Sequence, residues 1–252
     1  MACNNNQTTE ITTIDTNPEF KIVDELLTPV ALDDQFRVYY EIFVGSFSDS
    51  NNDGYGDLQG VINRFDYLND GNDDSGRSLG IEGIWFMPIM PSPSYHKYDV
   101  TDYKAIDPKY GTIEDFENLT QLANDRDVKV IIDLVLNHTS SQHPWFKAAK
   151  LAVQTNDFDN KYVGYYTIVT EEEKEPGKRY YLLAGDYYYE GNFSSQMPEL
   201  NLDNEDVRNE IIDIITFWFE KGVAGFRLDA AKYPYLNEEE RNIEFWNWFV
   251  AE

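Results

Sequence analysis

Asp229 closes an apolar run, Gly225-Phe226-Arg227-Leu228-Asp229, in which Phe226 and Leu228 alternate with Arg227 and Asp229. On an extended strand that alternation puts the guanidinium and the carboxylate on one face. A carboxylate beside an arginine is kept ionised by the opposite charge, and an ionised carboxylate can serve as a nucleophile or a proton acceptor. A second apolar run carries Asp133-Leu134-Val135-Leu136-Asn137-His138 at its end. Two acidic strand ends and a histidine are the materials of acid, base and nucleophilic chemistry, provided the fold brings them together.

A different chemistry is written in Asp49-Ser50-Asn51-Asn52-Asp53-Gly54-Tyr55-Gly56-Asp57. Oxygen-bearing side chains recur at alternate positions around a glycine-forced turn, a pattern suited to a hard cation such as Ca²⁺. Asp49, Asn51, Asp53 and Asp57 would give side-chain oxygens and Tyr55 its main-chain carbonyl. The loop departs from an EF-hand, because Gly60 stands at position twelve, where a bidentate Glu is needed. An Asx-rich surface turn is the alternative.

The elements that must hold these residues follow a regular plan. Four β-rich runs are present: Val38 to Phe43, Gly83 to Phe86, Val128 to Val135 and Val223 to Leu228. The first three start about 45 residues apart and the fourth about 95 later. Continuous apolar runs of this kind suit buried parallel strands. Between them lie helical stripes: Leu58, Val61, Ile62, Phe65 and Leu68; Ile113, Phe116, Leu119 and Ala123 behind a Thr112-x-x-Asp115 capping box; and Val207, Ile211, Ile214, Ile215 and Trp218. Strict alternation of strand and helix predicts an α/β fold, either a βα barrel or a doubly wound sheet. In a barrel, active sites gather at the C-terminal strand ends, where Asp133, His138, Arg227 and Asp229 all fall. The interval 140–198 breaks the plan; it is rich in Tyr, Asp and turn signals, and predicts an irregular subdomain inserted after strand three.

Four segments, in matching order, spacing and placement, resemble conserved signatures of the α-amylase family of retaining glycosidases. They are Gly80-Ile81-Glu82-Gly83-Ile84-Trp85, Asp133 to His138, Met197-Pro198-Glu199-Leu200-Asn201, and Gly225 to Lys232. The resemblance covers about residues 37–252 and implies a TIM (β/α)8 barrel with a subdomain after strand three. Only about the first four βα units are present. The expected layout is a tail over 1–36, barrel over 37–139, the insertion over 140–198 and barrel again over 199–252. By the same resemblance Asp229 is the catalytic nucleophile and Arg227 its partner. His138, Tyr98 and Asp99 contact the sugar at the scissile bond, and Lys232 and Tyr233 contact the leaving-group side. Asn137 resembles a ligand of a second Ca²⁺ between barrel and insertion, and the 49–57 loop resembles a Ca²⁺ loop after strand one. Three departures stand out: Lys97 where a glycine is common, Tyr233 where a histidine is frequent, and Glu199 where Asp is frequent. Ala230 after the nucleophile resembles α-1,4-acting members.

The function this implies is endo-hydrolysis of α-1,4-glucosidic bonds in starch or maltooligosaccharides by double displacement. The alternatives are a neopullulanase or oligo-1,6-glucosidase, and a non-catalytic glucan-binding surface protein. In the family the general acid follows strand five, so the second half of the barrel is needed and this chain alone is expected to be inactive. Composition agrees with a neutral substrate: 20 basic against 46 acidic residues give a net charge of −26, which disfavours nucleic acid, and 15% of residues are aromatic. No run approaches the roughly 20 apolar residues of a membrane span. The single cysteine, Cys3, opens a polar run and excludes an intrachain disulfide. It resembles the mature start of a bacterial lipoprotein, which implies an extracellular or cell-surface protein anchored by lipid; an incidental cysteine in a flexible tail is the alternative.

Overall fold

The computed structural model describes residues 37–72 and 74–252. Cys3, the 1–36 tail and the lipid-anchor expectation lie outside them.

Four strands form one parallel sheet: β1 (Tyr39–Ile42), β2 (Gly83–Phe86), β3 (Lys129–Leu134) and, fourth, β7 (Gly225–Leu228), in the order β1-β2-β3-β7. Each lies inside a run that the sequence marks as β-rich. Parallel neighbours need a crossover between them, and every crossover here is helical. After β1 come α1 (Val44–Phe47), α2 (Leu58–Asn63) and α3 (Phe65–Leu68); after β2 comes α4 (Ile113–Asp125). After β3 come α5 (Pro144–Gln154) and α6 (Glu205–Glu220), and after β7 comes α7 (Glu239–Ala251). These are four successive βα units of a barrel, laid side by side in chain order.

The pleat sorts side chains onto two faces. One face carries Ile42, Ile84, Phe86, Val130, Ile132 and Leu134, each at most 2% exposed, and merges with the buried stripes of α4 and α6 into one core. The other face carries Trp85, Ile131, Asp133, Gly225 and Arg227, because the register opposes Gly225 to Ile131 and Arg227 to Asp133. Gly83 belongs to this face. A Cβ there would sit 2.4 Å from the Tyr39 ring, so a larger residue would force that ring to move.

Helix α4 starts as its sequence predicts: the Thr112 hydroxyl accepts from Asp115 N, and the Asp115 carboxylate accepts from Thr112 N. The stripe from Leu58 to Leu68, expected as one helix, is divided at Arg64, whose φ of −106° and ψ of 8° leave the helical region. Its N–H is shared between the Gly60 and Val61 carbonyls, a tightened last turn. The buried stripe survives the break, since Leu58, Val61, Phe65 and Leu68 are all at most 1% exposed.

The 140–198 interval contains α5, two short 3-10 turns and a three-stranded antiparallel sheet of β4 (Ile168–Thr170), β5 (Tyr180–Ala184) and β6 (Tyr187–Glu190), ordered β4-β6-β5. Phe146 of α5 meets Tyr166 and Tyr189 edge-on at 5.0 and 4.9 Å. The chain leaving β3 is stitched to the end of this segment by main-chain bonds: Thr139 N to Pro198 O, Leu200 N to Asn137 O, and an isolated bridge between His138 and Glu199. His138 is thereby clamped between barrel and insertion.

Candidate active site

Arg227 joins the two strand-end carboxylates. Its Nη1 donates to Asp133 Oδ1 at 2.8 Å and to Asp229 Oδ1 at 2.6 Å. The Asp133 side chain is fully buried, while those of Asp229 and Arg227 are 19% and 37% exposed. The guanidinium also lies 5.1 Å from the centre of the Trp85 ring, contributed by β2. Burial works against the charge on Arg227, but the two carboxylates outweigh it and its pKa is raised. Burial pushes the Asp133 carboxyl above its ordinary range, and hydrogen bonds from Arg227 and Tyr98 pull it back. Tyr98 donates its hydroxyl to Asp133 Oδ2 at 3.0 Å. Burial, reinforced by the Asp133 charge, raises the pKa of that phenol and keeps it protonated.

His138 is 1% exposed, and neither ring nitrogen has a hydrogen-bond partner. Burial pushes its pKa down to about 4, against the pull of the Asp229 charge. At neutral pH the ring is an uncharged imidazole with one donor and one acceptor unused. Buried polar atoms are rarely left in this state without a reason, and a ligand hydroxyl or an ordered water would satisfy them. The ring packs at 5.0 Å against Phe193, which packs at 5.1 Å against Tyr233. Tyr233 is thus tied to the site through a phenylalanine of the insertion, whereas Lys232 is exposed, with its ammonium 5.5 Å from the Tyr233 ring.

Asp99 is 4% exposed and accepts from Ser92 Oγ at 2.7 Å and from Ser94 Oγ. The neighbouring Lys97 explains why that position favours glycine: its φ is +64°, in the left-handed region. The lysine is held there by its side chain, which is buried, paired with Asp107 and set 4.8 Å from the centre of the Tyr110 ring.

The fold therefore brings Asp229, Arg227, Tyr98, Asp99 and His138 to one strand-end face. Five contributors are given no specific role by the family resemblance. Asp133 is legible in the sequence as a strand end, yet its bond to Arg227 depends on strand register. Trp85 lies inside a signature segment but shows no sign of facing an arginine. Phe193, from a turn-rich stretch, and the serine pair have no local signal at all.

The 49–57 loop is built from Asx turns. Asp49 accepts from Asn51 N, Asn52 N and Gly54 N; Asn51 Oδ1 accepts from Asp53 N; and Asp53 Oδ1 accepts from Tyr55 N. Those main-chain bonds hold the Asp49 carboxyl below its ordinary range, Gly54 N–H first among them. Asp57 is differently engaged: it caps α2 through Gly60 N and accepts from Ser50 N and Oγ. Among the described residues no three His, Cys, Asp or Glu side chains are gathered closely enough to hold a metal ion. The donor set still suits a hard cation, because carboxylate and amide oxygens alternate around one turn. At Asn137, Nδ2 donates to Ala230 O at 3.3 Å, while Oδ1 is buried without a partner.

A parallel βα sheet with acidic residues at its carboxyl ends, an arginine joining them and a neutral buried histidine suits a barrel enzyme whose site gathers at its strand ends. The comparisons agree. The family described as "Alpha amylase, catalytic domain" matches residues 41–245. Alpha-amylase 3 of Dictyoglomus thermophilum is 47% identical over 214 residues, covering 85% of this chain and 40% of that protein. Oligo-1,6-glucosidase of Bacillus cereus is 39% identical, covering 81% of this chain and 36% of that protein. Among solved structures, Eubacterium rectale Amy13B superposes with a TM-score of 0.77 at 45% identity, covering 85% of this chain and 40% of that one. The chain belongs to the α-amylase family of glycoside hydrolases. It spans about two fifths of the length of these relatives, and its four strands are part of a TIM barrel.

Proposed function

We propose that this chain carries the nucleophile half of an endo-acting α-amylase that cleaves α-1,4-glucosidic bonds with retention. The observation that supports it best is the Asp133–Arg227–Asp229 chain of contacts beside a neutral, unpartnered His138. Asp229 Oδ attacks the anomeric carbon as the glycosidic C–O bond breaks. The leaving oxygen takes its proton from an acid contributed by the remaining barrel strands. Water then hydrolyses the glycosyl ester. Arg227 offsets the negative charge around the nucleophile. His138 and Asp99 bind hydroxyls of the reacting sugar, Tyr98 stacks on its ring, and Lys232 and Tyr233 meet the leaving-group side.

In the barrel-complete enzyme Asp229→Asn should remove nearly all turnover while preserving glucan binding, because an amide is a far poorer nucleophile. A fluorinated α-glucosyl donor followed by peptide mapping should label Asp229. A label on Asp133 or Asp99 would overturn the assignment, and no label with intact binding would favour a non-catalytic glucan binder. The Bacillus cereus relative keeps an α-1,6 preference in play; cleavage of isomaltose faster than maltotriose would establish it.

We also propose that Asp49, Asn51, Asp53, the Tyr55 carbonyl and Asp57 hold Ca²⁺ in the loop after β1, and that the unpartnered Asn137 Oδ1 serves a second ion between barrel and insertion. Such an ion would neutralise and stiffen these loops. Titration calorimetry should give Ca²⁺ heat that Asp53→Ala abolishes in part; no heat in either protein would dismiss both sites.

A further inference from the structure

Between Asp229 and the start of α7 the chain runs through a loop, residues 230–238, that carries Lys232 and Tyr233. Ala230 opens this loop in the left-handed region, at a φ of +47°. Packing alone does not hold it. Of residues 230–238 only Tyr235 is buried, and a cavity of about 650 Å³ opens between the loop and α7, lined by Lys232, Tyr233, Leu236, Asn242 and Trp246 among others. Main-chain groups outside a helix or sheet must find partners elsewhere.

The partners come from one face of α7. Asn242 is 8% exposed, and its Oδ1 accepts from Tyr235 N at 3.0 Å. Its Nδ2 donates to the carbonyls of Tyr235 at 2.8 Å, Glu238 at 3.0 Å and Lys232 at 3.3 Å. An amide nitrogen has two hydrogens, so three carbonyls share them and the Lys232 bond is the longest. One turn further along the same helix face, Trp246 Nε1 donates to Ala231 O. Asp229 is held separately: its N–H donates to Leu134 O at 3.3 Å, and its carboxylate accepts from Arg227. Loss of the Asn242 amide therefore loosens the loop that bears Lys232 and Tyr233 while the carboxylate keeps its own supports.

We propose that Asn242 is a positioning residue for the leaving-group side of the cleft, acting through Lys232 and Tyr233 and not through Asp229. This rests on the α-glucan reading above, in which those two residues meet the departing sugar. A loop fixed by one buried amide presents them without further ordering when substrate arrives, and small displacements of such groups are costly.

The test uses the barrel-complete enzyme and two donors. Maltohexaose releases a sugar that meets Lys232 and Tyr233, whereas α-maltosyl fluoride releases fluoride, which needs neither. For each donor, kcat/KM reports transition-state stabilisation relative to free enzyme and substrate. Asn242→Asp keeps the bond from Tyr235 N but offers no hydrogen to the carbonyls. It should lower kcat/KM on maltohexaose by about tenfold or more and leave that on α-maltosyl fluoride within about twofold. Asn242→Ala should behave alike. The ratio of the two constants, measured on one sample, does not depend on the folded fraction, so a loss of stability leaves the readout intact. In a parent carrying Lys232→Ala and Tyr233→Ala, adding Asn242→Asp should change that ratio by less than about twofold, because residues acting as one unit are not additive. Equal losses on both donors, no loss on either, inactivity of both Asn242 variants, or a full further loss in that parent would each overturn the assignment while the glucan reading stands. An enzyme with Asn242 intact that cleaves neither donor would remove that reading and this one with it.

Discussion

Arg227 donates through one guanidinium nitrogen to two carboxylates of unequal exposure, and that inequality divides their roles. Asp229 keeps 19% of its side chain exposed, which suits the proposed nucleophile. Asp133, sealed from solvent, can only orient the arginine and the Tyr98 hydroxyl. Asp133→Asn should therefore act as a loss of positioning. An amide cannot accept from both donors as a carboxylate does, so Arg227 and Tyr98 lose a shared anchor. Breaking a buried ion pair costs about 3–5 kcal/mol. Here Arg227 is partly exposed and keeps Asp229, so about 2 kcal/mol is expected, read as a lowered urea midpoint. Turnover in the barrel-complete enzyme should fall by about tenfold or more, since small displacements of catalytic groups are costly. A stable, fully active Asp133→Asn enzyme would show that Arg227 is positioned by Asp229 and Trp85 alone.

Helix α5 has an unusual start: its N-cap is His143, whose Nδ1 accepts from Trp145 N at 3.1 Å, with Pro144 occupying the first helical position. Burial pushes the pKa of His143 down to about 4, Lys147 adding to the effect. The capping nitrogen must be unprotonated to accept, so cap and titration are linked. With the folded pKa below the ordinary value of about 6.5, the unfolded chain takes up a proton first as pH falls. Stability is therefore whole above pH 6.5 and declines as pH falls toward about 4. His143→Asn preserves an acceptor at the capping position and abolishes the titration. The gap between urea midpoints at pH 7 and pH 4.5 should narrow in this variant, recovering about 2 kcal/mol of the wild-type difference. His138 contributes an acid-side loss of the same sign and remains in both proteins. An unchanged pH dependence in His143→Asn would mean that the cap does not control this window.

For the whole molecule, the sheet among the described residues ends at β1 on one side and β7 on the other. Edge strands present unpaired main-chain donors and acceptors, whereas a closed barrel pairs every strand. The 252-residue chain by itself should show no glucan hydrolysis above background. If the acid comes from further barrel strands, as proposed above, these residues alone leave the departing group unprotonated, a loss of typically about 10²–10⁴-fold. Purified chain free of other amylases, assayed on soluble starch, measures this; robust turnover would mean that a carboxylate within these residues acts as the acid.

Local order was legible in the amino-acid sequence because it depends on near neighbours. The Thr112–Asp115 capping box, the apolar runs that become parallel strands and the alternation of Arg227 with Asp229 each need only spacing. The signature segments carried the family for the same reason. Tertiary structure alone decided which polar groups meet. Asp133 and Arg227 are 94 residues apart, and only the β3–β7 register opposes them. Phe193 reaches His138 because the insertion folds back onto the loop after β3. Lys97 keeps a left-handed backbone with its buried ammonium received by Asp107, ten residues on in the connection between β2 and α4. A sequence displays its periodicities residue by residue, but burial, charge pairing and unpartnered atoms exist only once distant segments have closed on one another.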